Sequence, residues 1–240
     1  MLCSRVGEIM DHYTTITIDE NFYSIEQGFV RSFLIVGEKE ALLVDAGIGG
    51  GDLKGYVEGI TKLPVTAIFT HADGDHTGGA GQFEKRLMHP GEFDCYKGKN
   101  VNALPMEPVW EGDCIDLGNY CFEVILLPGH TPGSIALLER KKRFLIGGDS
   151  IQTGRIYMFG AGRNFAAFRA SMVKLQKRIQ EFDVVYSSHF DLAVHPEIIN
   201  QLYIGAGKVM EGKVTGSPEK LGNGTLINCY ETDGVAFYAE

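Results

Sequence analysis

The segment "FTHADGDHTGG", residues 69–79, concentrates four side chains that can bind metal ions: His71, Asp73, Asp75 and His76. Imidazoles and carboxylates packed this closely would repel and desolvate one another unless a cation or solvent compensated them. The preceding run "VTAIFT" is typical of a strand that ends near Thr70, and "HTGG" is typical of the start of a short helix. The sequence therefore predicts a metal-binding loop between a strand and a helix.

Three further strand-like runs also end in a residue that can bind a metal. They are "LLPGHTPGS" with His130, "FLIGGDS" with Asp149 and "VVYSSHF" with His189. Loops at strand ends are where a rigid scaffold presents functional side chains. The repetition of this pattern predicts that the ligands converge at one edge of a sheet.

The rest of the chain supplies the elements that must position these residues. The segments "SFLIVGEKEALLVD" and "LLERKKRFLIGG" each place polar turn residues between two β-rich runs, which predicts antiparallel hairpins. Apolar residues spaced three and four apart predict an amphipathic helix from Phe165 to Phe182, and Pro196 favours a second helix that begins after His195. Because no repeat or linker interrupts the pattern, we expect a single domain over residues 1–240.

This order of motifs resembles the metallo-β-lactamase fold superfamily, and "PGHTPGS" is most similar to its glyoxalase II-like small hydrolases. The resemblance implies an α+β fold, a four-layer αββα sandwich with mixed β-sheets flanked by helices. It also implies a dinuclear metal site. Carried over by position, the first metal would be held by His71, Asp73 and His130, the second by Asp75, His76 and His189, with Asp149 bridging both. Asp45 in "LLVDAG" would be a structural aspartate near the site.

Asp73 departs from the superfamily pattern, which usually has histidine at this position. The resemblance implies two divalent metal ions, zinc by default, but a carboxylate moves the preference toward harder cations, so iron or manganese also fits. An alternative is that Asp73 faces solvent and leaves the first metal with two protein ligands and the bridge.

The function implied by the resemblance is that of a metallo-hydrolase, in which a metal-bridging hydroxide cleaves an ester, thioester, lactone or small phosphodiester. Asp75 and Asp149 would be catalytic. The segment after Asp149 should lie near the metals and supplies candidate substrate contacts: Arg155, Tyr157, Phe159 and Arg163. Two alternatives stay open: a mononuclear non-haem iron enzyme resembling persulfide dioxygenases, with His71, His130 and Asp149 as ligands, and a non-catalytic metal-binding module.

The amino-acid composition limits the classes of molecule that this protein is expected to bind. With 31 acidic and 22 basic side chains the formal charge is -9, which disfavours nucleic acid, so a small-molecule substrate is expected. No apolar run is long enough to cross a membrane, and the chain is predicted to be cytoplasmic, with amphipathic helices that could form a homodimer surface. The odd number of scattered cysteines predicts free thiols that pack as small buried side chains: Cys3, Cys95, Cys114, Cys121 and Cys229.

Overall fold

The computed structural model describes residues 12–99, 104–222 and 224–240, so Cys3 lies outside the described residues. The chain divides into two compact units, residues 1–124 and residues 125–240. The single domain over residues 1–240 stays a prediction.

The first unit contains a seven-stranded sheet in sequential order, β1 to β7. Its strands are β1 Thr14–Asp19, β2 Phe22–Gln27, β3 Val30–Val36, β4 Ala41–Val44, β5 Val65–Phe69, β6 Lys85–Met88 and β7 Glu107–Pro108. The strands from β1 to β4 pair antiparallel, and those from β4 to β7 pair parallel. The parallel connections carry the helices α1 Leu53–Ile60, α2 Gly74–Thr77 and α3 Phe93–Lys99. The loops that follow β4 and β5 therefore leave the same edge of the sheet.

A hairpin of β8 (Cys114–Asp116) and β9 (Cys121–Leu126) follows, and the division between the units falls inside β9. In the second unit the strand order continues β9-β10-β11-β13-β14, with β11 and β13 parallel. A separate four-stranded sheet has the order β12-β17-β16-β15. The remaining strands are β10 Ile135–Glu139, β11 Phe144–Gly148, β12 Arg155–Tyr157, β13 Val184–Ser187, β14 Ala193–Val194, β15 Ser217–Lys220, β16 Leu226–Thr232 and β17 Val235–Ala239, and the helices are α4 Phe165–Gln176 and α5 Ile198–Met210.

Each unit has an apolar core of its own. In the first unit, side chains of β4 and β5, such as Leu43 and Phe69, pack with Leu53 of α1. In the second unit, Phe168 and Met172 of α4 pack with residues of β10, β11 and α5. The fully buried strands β4 and β11 lack polar alternation because both of their faces are covered. This burial anchors the strand ends that carry the candidate ligands.

Both predicted hairpins are confirmed, as β3–β4 and β10–β11. The helix predicted from Phe165 to Phe182 is shorter than expected, because α4 ends at Gln176 and a separate 3₁₀ turn covers Ile179–Glu181. The apolar spacing continues across this break since Phe182 still packs into the core. The predicted second helix is present as α5 and begins at Ile198.

The prediction of free cysteines is wrong for two of them. Cys114 and Cys121 form a disulfide across the β8–β9 hairpin, where the two Cα atoms lie 6.4 Å apart. Strand pairing brings them together, and a spacing of seven residues does not reveal that register. Cys95 and Cys229 are free thiols. Cys229 is buried as expected, whereas Cys95 is only partly buried. Among the described residues, no helix combines the length and apolar character of a membrane span. The cytoplasmic location stays a prediction.

Candidate metal centre

The β5–α2 loop carries the four ligand candidates of the first unit, as the sequence predicts. The strand ends at Phe69, and His71, Asp73, Asp75 and His76 follow within one loop and the first turn of α2. His71 and His76 are buried, and their rings lie 4.1 Å apart between centroids. The two histidines are therefore held side by side at the end of a buried strand.

Asp45, directly after β4, organises this loop. Its carboxylate is buried and accepts hydrogen bonds from the Thr70 amide (2.8 Å), the Thr70 hydroxyl (2.8 Å) and His76 Nδ1 (2.8 Å). These three donors satisfy the buried charge, which would otherwise be costly. Asp45 has φ 61°, a left-handed conformation that aspartate and asparagine tolerate better than most residues. Its position is therefore fixed by the backbone and by three hydrogen bonds.

The same contacts define which nitrogen of each histidine is available. His76 donates from Nδ1 to the Asp45 carboxylate. The Thr70 hydroxyl donates its proton to Asp45, so its oxygen can accept from His71 Nδ1 at 3.0 Å. In the neutral ring the other nitrogen, Nε2, then presents a lone pair. Both rings thus have Nε2 as their candidate ligand atom.

Each of these Nε2 atoms faces a carboxylate. His71 Nε2 lies 3.5 Å from Asp73 Oδ2, and His76 Nε2 lies 3.8 Å from Asp75 Oδ2. These distances are longer than a good hydrogen bond. A lone pair and a carboxylate oxygen are both acceptors, so a cation between them would stabilise the arrangement.

Asp73 occupies the N-cap position of α2, where an aspartate commonly accepts a hydrogen bond from the first turn. Within the described residues its side chain does not cap the helix. The carboxylate is 18% exposed and is directed at His71 Nε2 instead. This orientation favours a ligand role over the alternative in which Asp73 simply faces solvent.

Two supports of the loop were not predicted from the sequence. The segment "AGIG" after Asp45 packs directly against the loop. The Ala46 amide donates to the His76 carbonyl at 2.7 Å. Gly78 lies so close to this segment that a Cβ there would be 2.1 Å from the Ile48 backbone. Glu92, fully buried in the 3₁₀ turn Pro90–Glu92, accepts a hydrogen bond from the Ala72 amide at 2.8 Å. A glutamate in "HPGE" gives no sign of burial in the sequence.

His89 begins that same turn and accepts a hydrogen bond from the Gly91 amide through Nδ1. Its ring also makes an edge-on contact with Trp110, at 5.5 Å between centroids. Burial lowers the pKa of His89, and the nearby carboxylates of Glu92 and Glu111 oppose that shift. His89 is thus a neutral structural histidine beside the ligand loop.

The second unit brings together the other three candidates: His130, Asp149 and His189. They follow β9, β11 and β13 respectively, as predicted. His130 Nε2 lies 3.7 Å from Asp149 Oδ2, and His189 Nε2 lies 3.3 Å from Asp149 Oδ1. The Asp149 carboxylate therefore lies between two imidazoles and offers one oxygen to each.

The orientation of His130 depends on main-chain groups. Its Nδ1 donates to the carbonyl of Tyr157 at 2.9 Å, and because a carbonyl only accepts, Nε2 carries the lone pair. The preceding Gly129 has φ 143°, and a Cβ there would lie 2.4 Å from the backbone of Phe168 in α4. The glycine of "PGHTPG" thus allows the turn to pack directly against α4.

The donor set fits divalent cations. Zinc binds histidine nitrogen and carboxylate oxygen at about 2.0–2.2 Å, so two ligands in a tetrahedral site lie roughly 3.3–3.6 Å apart. The contacts within each unit span 3.3–3.8 Å. Among the described residues, histidines and aspartates form groups whose ligand atoms lie within 4.8 Å of one another, close enough to share a metal ion.

The predicted substrate contacts lie on and after β12. The Tyr157 ring is exposed, and Phe159 lies 5.5 Å from it between ring centroids. Arg163 is partly buried in the turn before α4. Arg155 is half-buried and pairs with Glu219, with 3.3 Å between Nη2 and Oε1. Tyr157 and Phe159 offer an apolar surface. Arg155, in contrast, already forms an ion pair within the protein.

The chain is similar in sequence to proteins that are named as hydrolases. The chain is 27% identical over 215 residues to an acyl-coenzyme A thioesterase of Gallus gallus, covering 73% of this chain and 77% of the relative. It is 34% identical over 137 residues to a hydroxyacylglutathione hydrolase of Bdellovibrio bacteriovorus, covering 53% of this chain and 50% of that protein. Both names denote hydrolases, so the predicted enzyme class is confirmed.

Solved structures agree on the fold. A metallo-beta-lactamase from Pontibacter korlensis superposes with a TM-score of 0.69 over 82% of this chain and 99% of its own, at 16% identity. At that identity the likeness concerns the fold alone, and the predicted fold class is confirmed. The sequence model of the Metallo-beta-lactamase superfamily matches residues 25–189, which include every candidate ligand. The chain therefore belongs to the metallo-beta-lactamase superfamily.

Proposed function

We propose that this protein is a metal-dependent thioesterase that hydrolyses an acyl thioester of a small-molecule thiol. The observation that carries the proposal is the shared orientation of three histidines. His71, His76 and His130 each direct Nδ1 at an acceptor and Nε2 at an aspartate carboxylate. This is the arrangement of metal-binding histidines, whose second nitrogen is held by a carboxylate, carbonyl or other polar group.

The thioester is favoured over other substrates by the relatives. The names acyl-coenzyme A thioesterase and hydroxyacylglutathione hydrolase both describe cleavage of an acyl group from a thiol carrier. A formal charge of -9 disfavours a nucleic-acid substrate and leaves small molecules as the expected class. Esters, lactones and small phosphodiesters are the competing substrates in the test below.

The ligand roles extend to this chain as part of the proposal. His71, Asp73 and His130 would hold one divalent ion, Asp75, His76 and His189 the other, and Asp149 would bridge them. When bound, such ions lower the pKa of a water molecule toward neutrality and polarise the substrate carbonyl. Asp149, with one oxygen directed at each of two histidines, is suited to the bridging role.

Protein groups near the site would orient the attacking water, hold the imidazoles and contact the acyl group. Asp75 is 27% exposed at the start of α2, so its carboxylate can orient the attacking water while His76 stays buried. Asp45 and the Tyr157 carbonyl keep the imidazoles from rotating during the reaction. The exposed ring of Tyr157 and the neighbouring Phe159 offer an apolar surface for the acyl group. No serine or cysteine nucleophile is required.

Asp73 would set the choice of metal. Three carboxylates and one hydroxide formally balance two divalent ions, so this site would be less positive than one with histidine at position 73. Oxygen ligands favour manganese or iron relative to an all-imidazole set. In Asp73→His we expect the metal recovered with the protein to shift toward zinc, as elemental mass spectrometry would show.

The test begins with metal content per chain, measured on untagged protein purified without chelators. We expect about two equivalents and release of free thiol from acyl-coenzyme A. Asp75→Asn should lower kcat by roughly 10²–10⁴-fold, the range for a positioned acid or base. The matched control is Asp52→Asn, since asparagine caps α1 as well as aspartate does.

Other outcomes separate the alternatives. One iron per chain with oxygen consumption on a thiol persulfide would replace the thioesterase with the dioxygenase. Turnover of a lactone or phosphodiester but not of a thioester would change the substrate class. Full metal occupancy without turnover of any of these substrates would indicate a non-catalytic module.

A further inference from the structure

The imidazole of His130 is oriented by a residue that lies 27 positions further along the chain. Its Nδ1 donates to the main-chain carbonyl of Tyr157, the last residue of β12. Replacing the Tyr157 side chain cannot remove this acceptor. The orientation of the ring therefore depends on where the backbone of β12 lies.

β12 is a short edge strand whose register depends on its neighbours, although Ile156 is also buried in the core of the second unit. The strand has three residues and occupies the edge of the four-stranded sheet, with β17 as its neighbour. The two strands run parallel with Tyr157 opposite Tyr238, and the Met158 amide donates to the Tyr238 carbonyl at 2.8 Å. β15, β16 and β17 all lie beyond residue 189, where the match to the superfamily ends.

Side chains from all four strands of this sheet meet at Arg155. Its Nη2 lies 3.3 Å from Glu219 Oε1 on β15, and its Nε donates to Cys229 Sγ on β16 at 3.4 Å. The guanidinium carbon lies 5.4 Å from the centroid of the Tyr238 ring on β17. Tyr238 closes the network by donating its hydroxyl to Glu219 Oε2 at 2.6 Å. We call Arg155, Glu219, Cys229 and Tyr238 the C-terminal clamp.

The protonation states of the clamp suit these contacts. Burial, reinforced by the hydrogen bond to Glu219, raises the pKa of Tyr238 to about 12, so the phenol keeps the proton that it donates. The hydrogen bond from Tyr238 lowers the pKa of Glu219, which keeps its carboxylate charged for Arg155. Cys229 is only 2% exposed, and burial raises the pKa of its thiol. The clamp thus combines one cation, one anion and two neutral groups.

We propose that the C-terminal clamp is a positioning device for the metal site: it sets the register of β12 and thereby the carbonyl that orients His130. The inference rests on the proposed metal-binding role of His130. It means that β15, β16 and β17, which lie after the residues matched by the superfamily, contribute to the metal site. It also makes Arg155 a positioning residue, because its guanidinium is held by the clamp rather than presented to a substrate.

The test uses two conservative substitutions with a control on the same arginine. Glu219→Gln weakens the ion pair, and Tyr238→Phe removes a single oxygen atom. The control is Glu231→Gln, since Glu231 Oε1 lies 3.8 Å from Arg155 Nη2 but is 71% exposed. Affinity for zinc and for manganese is measured by competition with a chromogenic chelator, together with kcat, KM and the circular dichroism spectrum.

We expect Glu219→Gln and Tyr238→Phe to weaken the affinity for metal by about 3- to 10-fold, less than the roughly 10- to 100-fold loss for direct partners of a ligand. kcat should fall while KM changes little. The double variant should lose less than the sum of the two single losses, because both residues act through one network. Glu231→Gln should match the wild type.

Two results would overturn the inference: a metal affinity equal to that of Glu231→Gln in both variants, or a loss confined to KM, which would instead make Arg155 a substrate contact. If Glu219→Gln does not retain the native circular dichroism spectrum, the inference is tested by Tyr238→Phe alone. A wild-type protein that binds no divalent metal would defeat the proposed function itself. Wild-type metal binding and turnover with unaltered variants would defeat only the clamp.

Discussion

The two groups of candidate ligands are built in different ways. In the first unit, four candidate ligands share one short loop, and side chains hold its two histidines: Asp45 directly for His76, and through Thr70 for His71. In the second unit, three candidate ligands come from three strand ends, and a main-chain carbonyl holds His130.

This difference determines how each group can fail. A side-chain support is lost with one substitution, so the β5–α2 loop has identifiable weak points at Asp45 and Glu92. A carbonyl cannot be removed by changing its own side chain, so the support of His130 is disturbed only by moving β12. The first group should therefore respond to local changes and the second to changes in strand packing.

Among the substitutions that compare the two units, the largest effect is expected from Asp149→Asn, which changes the carboxylate that lies between His130 and His189. Altering a residue that only supports a metal ligand commonly lowers metal affinity or activity by roughly 10- to 100-fold, so loss of the proposed bridging ligand should lower turnover by at least about 100-fold. Steady-state thioester hydrolysis measures it, with an unchanged circular dichroism spectrum as the check on folding. Wild-type turnover in this variant would remove Asp149 from the reaction.

Asp45→Asn tests the side-chain support of the first unit. Asparagine tolerates the left-handed φ of 61°, so the backbone should persist, but the amide nitrogen cannot accept the hydrogen bond that the carboxylate does. We expect metal affinity to fall by roughly 10- to 100-fold. Chelator competition measures this. An affinity within error of the wild type would mean that the loop orients His71 and His76 without Asp45.

Substitution of His89, in the turn beside the β5–α2 loop, should have a smaller effect, and that effect should be on how stability depends on pH. Burial lowers the pKa of His89 below its ordinary value of about 6.5, so below that pH the unfolded chain binds more protons than the folded one. Stability is therefore complete above about pH 6.5 and declines as the pH falls toward 5. His89→Gln should have a shallower decline, measured as the thermal midpoint between pH 8 and pH 5. An identical pH profile would contradict the assignment of His89 as a buried neutral histidine.

The smallest effect should come from Tyr157→Phe. The substitution retains the carbonyl that accepts from His130 and the β12–β17 pairing, so metal affinity should stay within about 2-fold of the wild type. The same chelator competition as for Asp45→Asn gives a direct comparison of the two supports. A large loss in Tyr157→Phe would show that the second group also relies on a side chain, and the contrast between the two units would disappear.

The β5–α2 loop could be predicted closely because the residues that identify it are adjacent in the sequence. Four candidate ligands, two histidines and two aspartates, fall within six positions. A β-rich run before them and glycines after them place His71 to His76 at a strand end without knowledge of the rest of the chain. The strand ends before His130, Asp149 and His189 could be identified in the same way. The helix from Phe165 was predicted too long because an apolar period continues through a 3₁₀ turn that still packs on the core.

Other features could not be read from the sequence because they depend on residues that are distant along the chain. The Cys114–Cys121 disulfide depends on the register of a hairpin, and the burial of Glu92 depends on an amide 20 residues earlier. Arg155 was predicted as a substrate contact from its position after Asp149, whereas the structure surrounds it with residues of β15, β16 and β17.

The sequence by itself determined the types of the candidate ligands, their order and the strands that present them, because strand-forming runs and side chains able to bind metal are properties of short segments. Only the tertiary structure decided which ring nitrogen of His71, His76 and His130 is held by a polar partner, and therefore which nitrogen is the candidate ligand atom. Those choices are made by Asp45, Thr70 and the Tyr157 carbonyl, whose partners are brought to them by sheet pairing and burial. Hydrogen bonds of about 3 Å between distant residues exist only after the chain has folded.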